Sequence, residues 1–170
     1  MDARRFDRVG LQRIVQLINK TNQFNLTTRR YSEEDVVPLL GDSRSVTLQI
    51  RLTDRFGDNG IIAILIGRLN DERELEIDTW LMSCRVLGRH VEEATLNALA
   101  AEAKRISATA LIGVYRPTAK NGMVRDHYRK LGFTLEQEDA DGSSRWRLDL
   151  QDYVPIETPI TLANAVETTS

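Results

Sequence analysis

The chain is short of the residues that staple, kink or anchor a protein. It has a single cysteine, two histidines, four prolines and 6% aromatic residues. One cysteine excludes an internal disulfide framework and the small stapled folds of secreted proteins, and it fits a reducing, cytoplasmic setting. Long apolar runs are missing too. The longest, Ile61–Ile66, is far below the ~20 residues that cross a bilayer, so no membrane partner is expected. No basic stretch followed by an apolar one opens the chain, so no secretory signal is expected. Neither sign of charge dominates: 23 basic against 25 acidic residues give a net charge of −2. That balance argues against general nucleic-acid binding.

What is present is a soluble globular composition, 41% hydrophobic and 28% charged over 170 residues. This is enough for one domain with a full core and too little for two. Residues 1–150 read as that domain. Residues 151–170, with two prolines, several threonines and no amphipathic period, read as a mobile tail. Charge is unevenly spread. Arg4, Arg5, Arg8, Arg13, Lys20, Arg29 and Arg30 face only Asp2 and Asp7 in the first thirty residues. The cluster is either a solvated helix surface or a face for an acidic partner or phosphate.

Apolar positions Phe6, Val9, Ile14, Leu17 and Ile18 predict a helix over residues 4–20. A polar loop follows, in which Asn22, Asn25, Thr27, Thr28 and Arg29 either cover a ligand or simply connect. Ser32 reads as an N-cap with an acidic first turn, and Pro38 and Gly41 keep that second helix short. Alternation over Ser45–Thr53, then Ile61–Gly67, then Leu75–Ser83, predicts a three-strand meander. Val91–Ile106 reads as an Ala-rich helix and Ala110–Tyr115 as a strand. A helix joining neighbouring strands implies a parallel pair with a right-handed crossover. Asn121–Leu131, stopped by Gly132, predicts a further helix. Phe133–Leu135 and Ser144–Leu148 close the domain as a hairpin. The expected fold class is α/β (α+β): a mixed sheet, mostly antiparallel with one parallel strand junction, and helices on both faces.

The segment Trp80-Leu-Met-Ser-Cys-Arg-Val-Leu-Gly-Arg89 runs from a buried strand into a turn and then a helix. Such a turn offers backbone N–H groups and cations to an anion. If the parallel strands splay there, freed strand-edge groups would pair with a thin, amide-bearing arm. Pantetheine with its phosphate is such an arm. This arrangement resembles the GNAT acyltransferase fold. Its turn motif is Arg or Gln, two residues, Gly, one residue, then Gly or Ala. Arg85-Val86-Leu-Gly88-Arg89-His90 matches until the last position, where His90 replaces a small residue and narrows the expected pyrophosphate pocket. Asn121-Gly-Met-Val-Arg-Asp-His-Tyr128-Arg-Lys-Leu-Gly-Phe133 is similar to the pattern Asn…Tyr…Leu-Gly-Phe. The resemblance implies that Arg85, Val86, Gly88, Arg89 and Asn121 bind the cofactor arm and that Tyr128 protonates the leaving thiolate.

Longer strings narrow the resemblance. Gln16–Tyr31, Asp54–Gly60, Trp80–Arg89 and Tyr115–Asn121 look like the C-terminal half of FkbH-type proteins. In that family a HAD-like phosphatase half using magnesium precedes this one. Together they are associated with moving a glyceryl group from phosphorylated glycerate to an acyl carrier protein for polyketide extender units. The implied cofactor is the phosphopantetheine arm of that carrier, or coenzyme A. The implied partners are the acyl carrier protein and a HAD-like phosphatase domain. No metal is expected here, since Asp139-Ala-Asp141 reads as turn chemistry. Two rival functions stay open: a coenzyme A-dependent N-acetyltransferase, and a non-catalytic carrier-docking domain.

Cys84, at a strand end and between cationic neighbours, is either a nucleophile that accepts an acyl group or a small buried hydrophobe. His90 and His127 are the only imidazoles to serve as base. His90 is nearer Cys84 in sequence. Adjacent helical positions are expected to turn His127 away from Tyr128, and a surface role is expected for both histidines. Glu76, Asp78 and Trp80 are expected on one side of their strand, where a carboxylate either faces solvent, the commoner case, or orients a substrate hydroxyl, and Trp80 is either a cleft wall or plain core.

Overall fold

A computed structural model describes residues 1–54 and 57–161. The strands are β1 (Asp2–Arg4), β2 (Ser45–Asp54), β3 (Gly57–Leu69), β4 (Glu74–Met82), β5 (Ala110–Tyr115), β6 (Thr134–Glu138) and β7 (Ser144–Asp149). They form one sheet in the order β1-β2-β3-β4-β5-β7-β6. Every pair is antiparallel except β4 with β5. The helices are α1 (Leu11–Lys20), α2 (Glu33–Val36), α3 (Val91–Arg105) and α4 (His127–Lys130). The mixed sheet and its single parallel junction, crossed by α3, are those expected from the alternation of patterns.

Each face of the sheet has its own core. Under α3 and α4 lie Leu48, Leu65, Leu75, Trp80, Met82, Leu96, Leu99 and Tyr128. Under α1 and α2 lie Ile14, Ile18, Tyr31, Val36, Ile64, Ile66 and Leu81. β4 serves both cores through a bulge. Ile66 pairs with Thr79 and Gly67 with Ile77, so Asp78 is the extra residue. One added residue flips every later side chain to the other face. Leu75 and Ile77 therefore share a core with Trp80 and Met82, although their parities differ. The expected common face of Glu76, Asp78 and Trp80 does not exist. Asp78 is also buried, where a solvent-facing carboxylate was expected.

Two helices differ from expectation. Residues 2–4 form β1 on the edge of β2, and α1 begins only at Leu11. The Asp7 carboxylate accepts from Gly10 N at 2.6 Å and shapes the turn between them. Val9, expected on the apolar stripe, is 96% exposed. The helix expected over Asn121–Leu131 is broken into a 3-10 turn at Gly122–Val124 and the single-turn α4, because Asp126 leaves helical geometry at ψ 14°. The Ser32 cap is as expected: Ser32 Oγ accepts from Asp35 N at 3.2 Å, and Asp35 Oδ2 accepts from Ser32 N at 2.9 Å.

Residues 151–161 contain no helix or strand, yet they are fastened to α3. Asn97 donates to Ile156 O at 2.8 Å and accepts from Ile156 N at 2.9 Å. Residues 162–170 of the expected tail lie outside the described residues. Of the basic cluster near the start, Arg5 pairs with Glu102 at 3.3 Å and Arg29 with Asp78 at 2.6 Å.

Candidate functional site

The parallel strands β4 and β5 pair only over Glu74–Ile77 and Ala110–Gly113. Beyond the Asp78 bulge they part, as a pantetheine slot requires, but the slot is filled by the chain itself. Leu26 N donates to Trp80 O at 3.1 Å, and Met82 N donates to Phe24 O at 3.0 Å. Asn25 bridges Leu81 antiparallel. On the far side Arg116 N donates to Leu26 O at 2.8 Å. Thr27 Oγ1 reaches Asp78 O at 2.8 Å. Segment 24–27 thus lies along β4 through one isolated antiparallel bridge at Asn25 and takes up edge groups expected to be free.

Asn121 locks this insert in place. Fully buried, it donates from Nδ2 to Asn25 O and Arg116 O, both at 2.9 Å, and accepts at Oδ1 from Thr118 N at 2.8 Å. Expected to line the cofactor arm, it instead ties two loops together. Asn25, the other fully buried amide, accepts at Oδ1 from Thr28 N at 2.9 Å. Thr28 there adopts φ 49°, a conformation a β-branched residue seldom takes. The polar loop is a connector over residues 24–27, since its polar groups are consumed internally.

The turn after β4 starts as a 3-10 turn at Cys84–Val86. Cys84 is exposed, with Sγ 3.4 Å from Gln23 Oε1, so it is not a buried hydrophobe. Val86 is buried beneath the turn. Gly88 has φ 75° and His90 has φ 65°, both left-handed. That conformation favours glycine and is strained for His90. Arg85 folds back, its Nε 3.2 Å from Ser83 Oγ and its Nη2 3.3 Å from Asn59 O. Arg89 pairs with Asp54 at 2.9 Å. Glu92 and Glu93 stand in the first turn of α3 and complement its positive end themselves.

Beside the turn, a groove of about 370 Å3 runs between the start of α3 and the broken helix, lined by Gly88, Glu92, Glu93, Met123, His127 and Lys130 among others. Of the site residues expected from sequence, only Gly88 lines it; Cys84, Tyr128 and His90 do not. Behind it, residues that the sequence offered singly come together as a cluster, a juxtaposition that spacing did not reveal. The His127 ring stands edge-on to Trp80 at 4.4 Å and to Phe24 at 5.2 Å between centroids. Tyr128 lies 5.1 Å from His127 and 6.0 Å from Trp80. His127 is 7% exposed, Tyr128 1% and Trp80 0%. Burial, and secondarily Lys130, pushes His127 down to about 3, and burial pushes the Tyr128 hydroxyl up. Trp80 Nε1, His127 Nε2 and Tyr128 OH find no hydrogen-bond partner among the described residues.

His127 is therefore neither a surface residue nor turned away from Tyr128. In a single helical turn both can reach the core, His127 above Leu131 and Tyr128 below Val124. Those apolar neighbours three and four residues away were the available signal. Tyr128 packs on β5 so closely that a Cβ at Gly113 would sit 2.7 Å from its ring. On the opposite face, Asp78 is held by Arg29 at 2.6 Å and accepts from Tyr31 OH; burial raises its carboxyl, and Arg29 works against that rise. Among the described residues no cluster of His, Cys, Asp or Glu could hold a metal ion, and no helix is long and apolar enough to cross a membrane.

The sheet order, the β4 bulge and the diverging parallel pair define a GNAT-type fold. No family model and no curated protein sequence matches the chain. Solved structures do. The GNAT domain of S. lividans PAT superposes with TM-score 0.66 at 20% identity, covering 86% of this chain and 89% of that one. The ribosomal-protein-S18-alanine N-acetyltransferase from Escherichia coli gives TM-score 0.62 at 17% identity, covering 87% and 92%. Spermidine N-acetyltransferase from Vibrio cholerae, in complex with CoA and spermine, gives 0.64 at 12% identity, covering 88% and 95%. At these identities the likeness is one of fold: the chain has the GNAT fold.

Proposed function

We propose that this chain is an acyltransferase domain that receives a phosphopantetheine-type arm in the groove beside Gly88. The observation that carries this reading is the groove itself, whose lining residues include two with a buried polar atom that lacks a partner, His127 Nε2 and Glu93 Oε2. A thin arm suits it. Leu87, Met123, Val124 and Leu131 give apolar walls, and the unpartnered groups offer hydrogen bonds to an acyl end. The finer reading is a glyceryl group moved to or from an acyl carrier protein in polyketide extender-unit biosynthesis, with a HAD-like phosphatase domain as partner. It rests on the FkbH-type strings, above all Trp80–Arg89. Cys84 is the proposed acyl-accepting thiol, exposed and close to Gln23. Tyr128 is the proposed acid, its proton retained by burial.

A second reading is favoured by the inserted segment 24–27, which closes the β4 edge to any arm. In it the chain docks a carrier protein and performs no chemistry. Intact-mass measurement on the chain with a glyceryl thioester and a holo-carrier protein separates the two. Transfer requires the acyl mass on the chain or the carrier, lost in Cys84→Ala. Carrier binding without acyl movement leaves docking alone. No carrier binding removes both.

A further inference from the structure

Burying a polar atom without a partner is costly, and three such atoms are carried on touching rings, of which the His127 ring lines the groove. Trp80 Nε1 and Tyr128 OH are obligate or ready donors, and His127 Nε2 either donates or accepts according to tautomer. His127 is the member that lines the groove; Trp80 and Tyr128 stand behind it. The walls leading to it are Phe24, Leu87, Met123, Val124 and Leu131. Glu93 Oε2, also buried without a partner, lines the same groove and calls for a donor; what the rings lack is a compact hydrogen-bond acceptor carried on a slender, mostly apolar stem.

We infer that His127 is the acyl-binding residue of the groove, hydrogen-bonding the carbonyl oxygen of a thioester-borne acyl group, with Trp80 and Phe24 as positioning residues that fix its ring. This rests on the acyl-arm reading above and names the residue that reading lacks. Edge contacts with Trp80 and Phe24 hold the imidazole in one orientation, so no reorganisation is needed when the carbonyl arrives. An N–H at this point stabilises negative charge developing on the carbonyl oxygen.

The chain's two histidines make the test direct. Protein labelled with nitrogen-15 histidine is titrated with S-acetyl-pantetheine, and binding is followed separately by calorimetry. His127 imidazole signals should shift with the calorimetric midpoint while those of exposed His90 stay in place. His127→Phe, which keeps a ring against Trp80, should weaken binding about tenfold, the worth of one hydrogen bond. His127→Gln should recover part of that loss. Calorimetric binding with unmoved His127 signals and unchanged affinity in His127→Phe would overturn the assignment and leave the arm-binding reading standing. No binding heat would overturn both.

Discussion

His127 enters the core uncharged, and this has a consequence for stability against pH. In the unfolded chain its imidazole takes a proton near 6.5, whereas burial delays that in the folded chain to about 3. Between those values the unfolded state binds the extra proton, so stability falls as pH is lowered through the window. This group contributes at most ~1.4 kcal/mol per pH unit. Lys130 reinforces the effect; Glu92 and Glu93 are the other charged groups lining the groove, and Trp80, Tyr128 and Phe24 bring no charge. Asp78, with its carboxyl raised by burial, gives a slope of the opposite sign in a window that opens upward from its ordinary value of 3.8 and overlaps that of His127. Denaturant titrations at pH 7 and pH 5 should show a loss in the wild type that is smaller in His127→Phe. Equal losses would place His127 in water. Gly113 supplies a second residue-scale prediction. Gly113→Ala pushes a methyl into the Tyr128 ring and should destabilise by ~1–3 kcal/mol. Adding Tyr128→Leu should relieve part of that loss, and strict additivity would mean the two do not touch.

At the scale of elements, the insert 24–27 separates two roles for Asn121. As the tie between Asn25 O and Arg116 O, it holds the segment on β4. Asn121→Ala should then cost ~2 kcal/mol by leaving those buried carbonyls unpaired. Hydrogen exchange at the Leu26 and Met82 amides should rise with it. A variant with unchanged exchange but weaker arm binding would return Asn121 to the cofactor-lining role its motif implies. The elements legible in sequence are those with a local signature: the β2–β4 alternation, the Ser32 cap, and the β4–α3–β5 crossover. The Asp78 bulge was not legible, because it shows only in pairing with Ile66 and Gly67 on another strand. Nor was the insert, since Phe24–Thr27 is held against the sheet only by partners about 55 and 90 residues away, the backbones of Trp80, Met82 and Arg116. The same limit applied to the site. Gly88 and the turn announce themselves by motif, whereas His127 acquires its setting from Trp80 and Phe24, which spacing along the chain does not reveal.

On the scale of the whole molecule, two features decide which arm-bearing ligand this sheet can accept. The edge groups of Trp80 and Met82 are already bonded to Leu26 and Phe24, so an arm gains no backbone pairing with β4. The remaining entrance is the groove, whose rim carries Glu92 and Glu93 against Lys130 alone, while Arg89 is neutralised by Asp54. A neutral pantetheine meets no penalty there. Coenzyme A brings a pyrophosphate and a further phosphate to the same rim, and each like-charge contact near 4 Å in water opposes binding by about 1 kcal/mol. S-acetyl-pantetheine should therefore bind at least several-fold more tightly than acetyl-coenzyme A at low salt, with the gap narrowing as salt screens the rim. The double substitution Glu92→Gln, Glu93→Gln should narrow it too, by raising coenzyme A affinity and leaving pantetheine affinity unchanged. Calorimetry on both ligands at two ionic strengths measures this. Tighter binding of coenzyme A by the wild type would mean that Gly88 and Lys130 outweigh the two carboxylates, and would favour an ordinary coenzyme A-dependent transferase over a carrier-borne substrate.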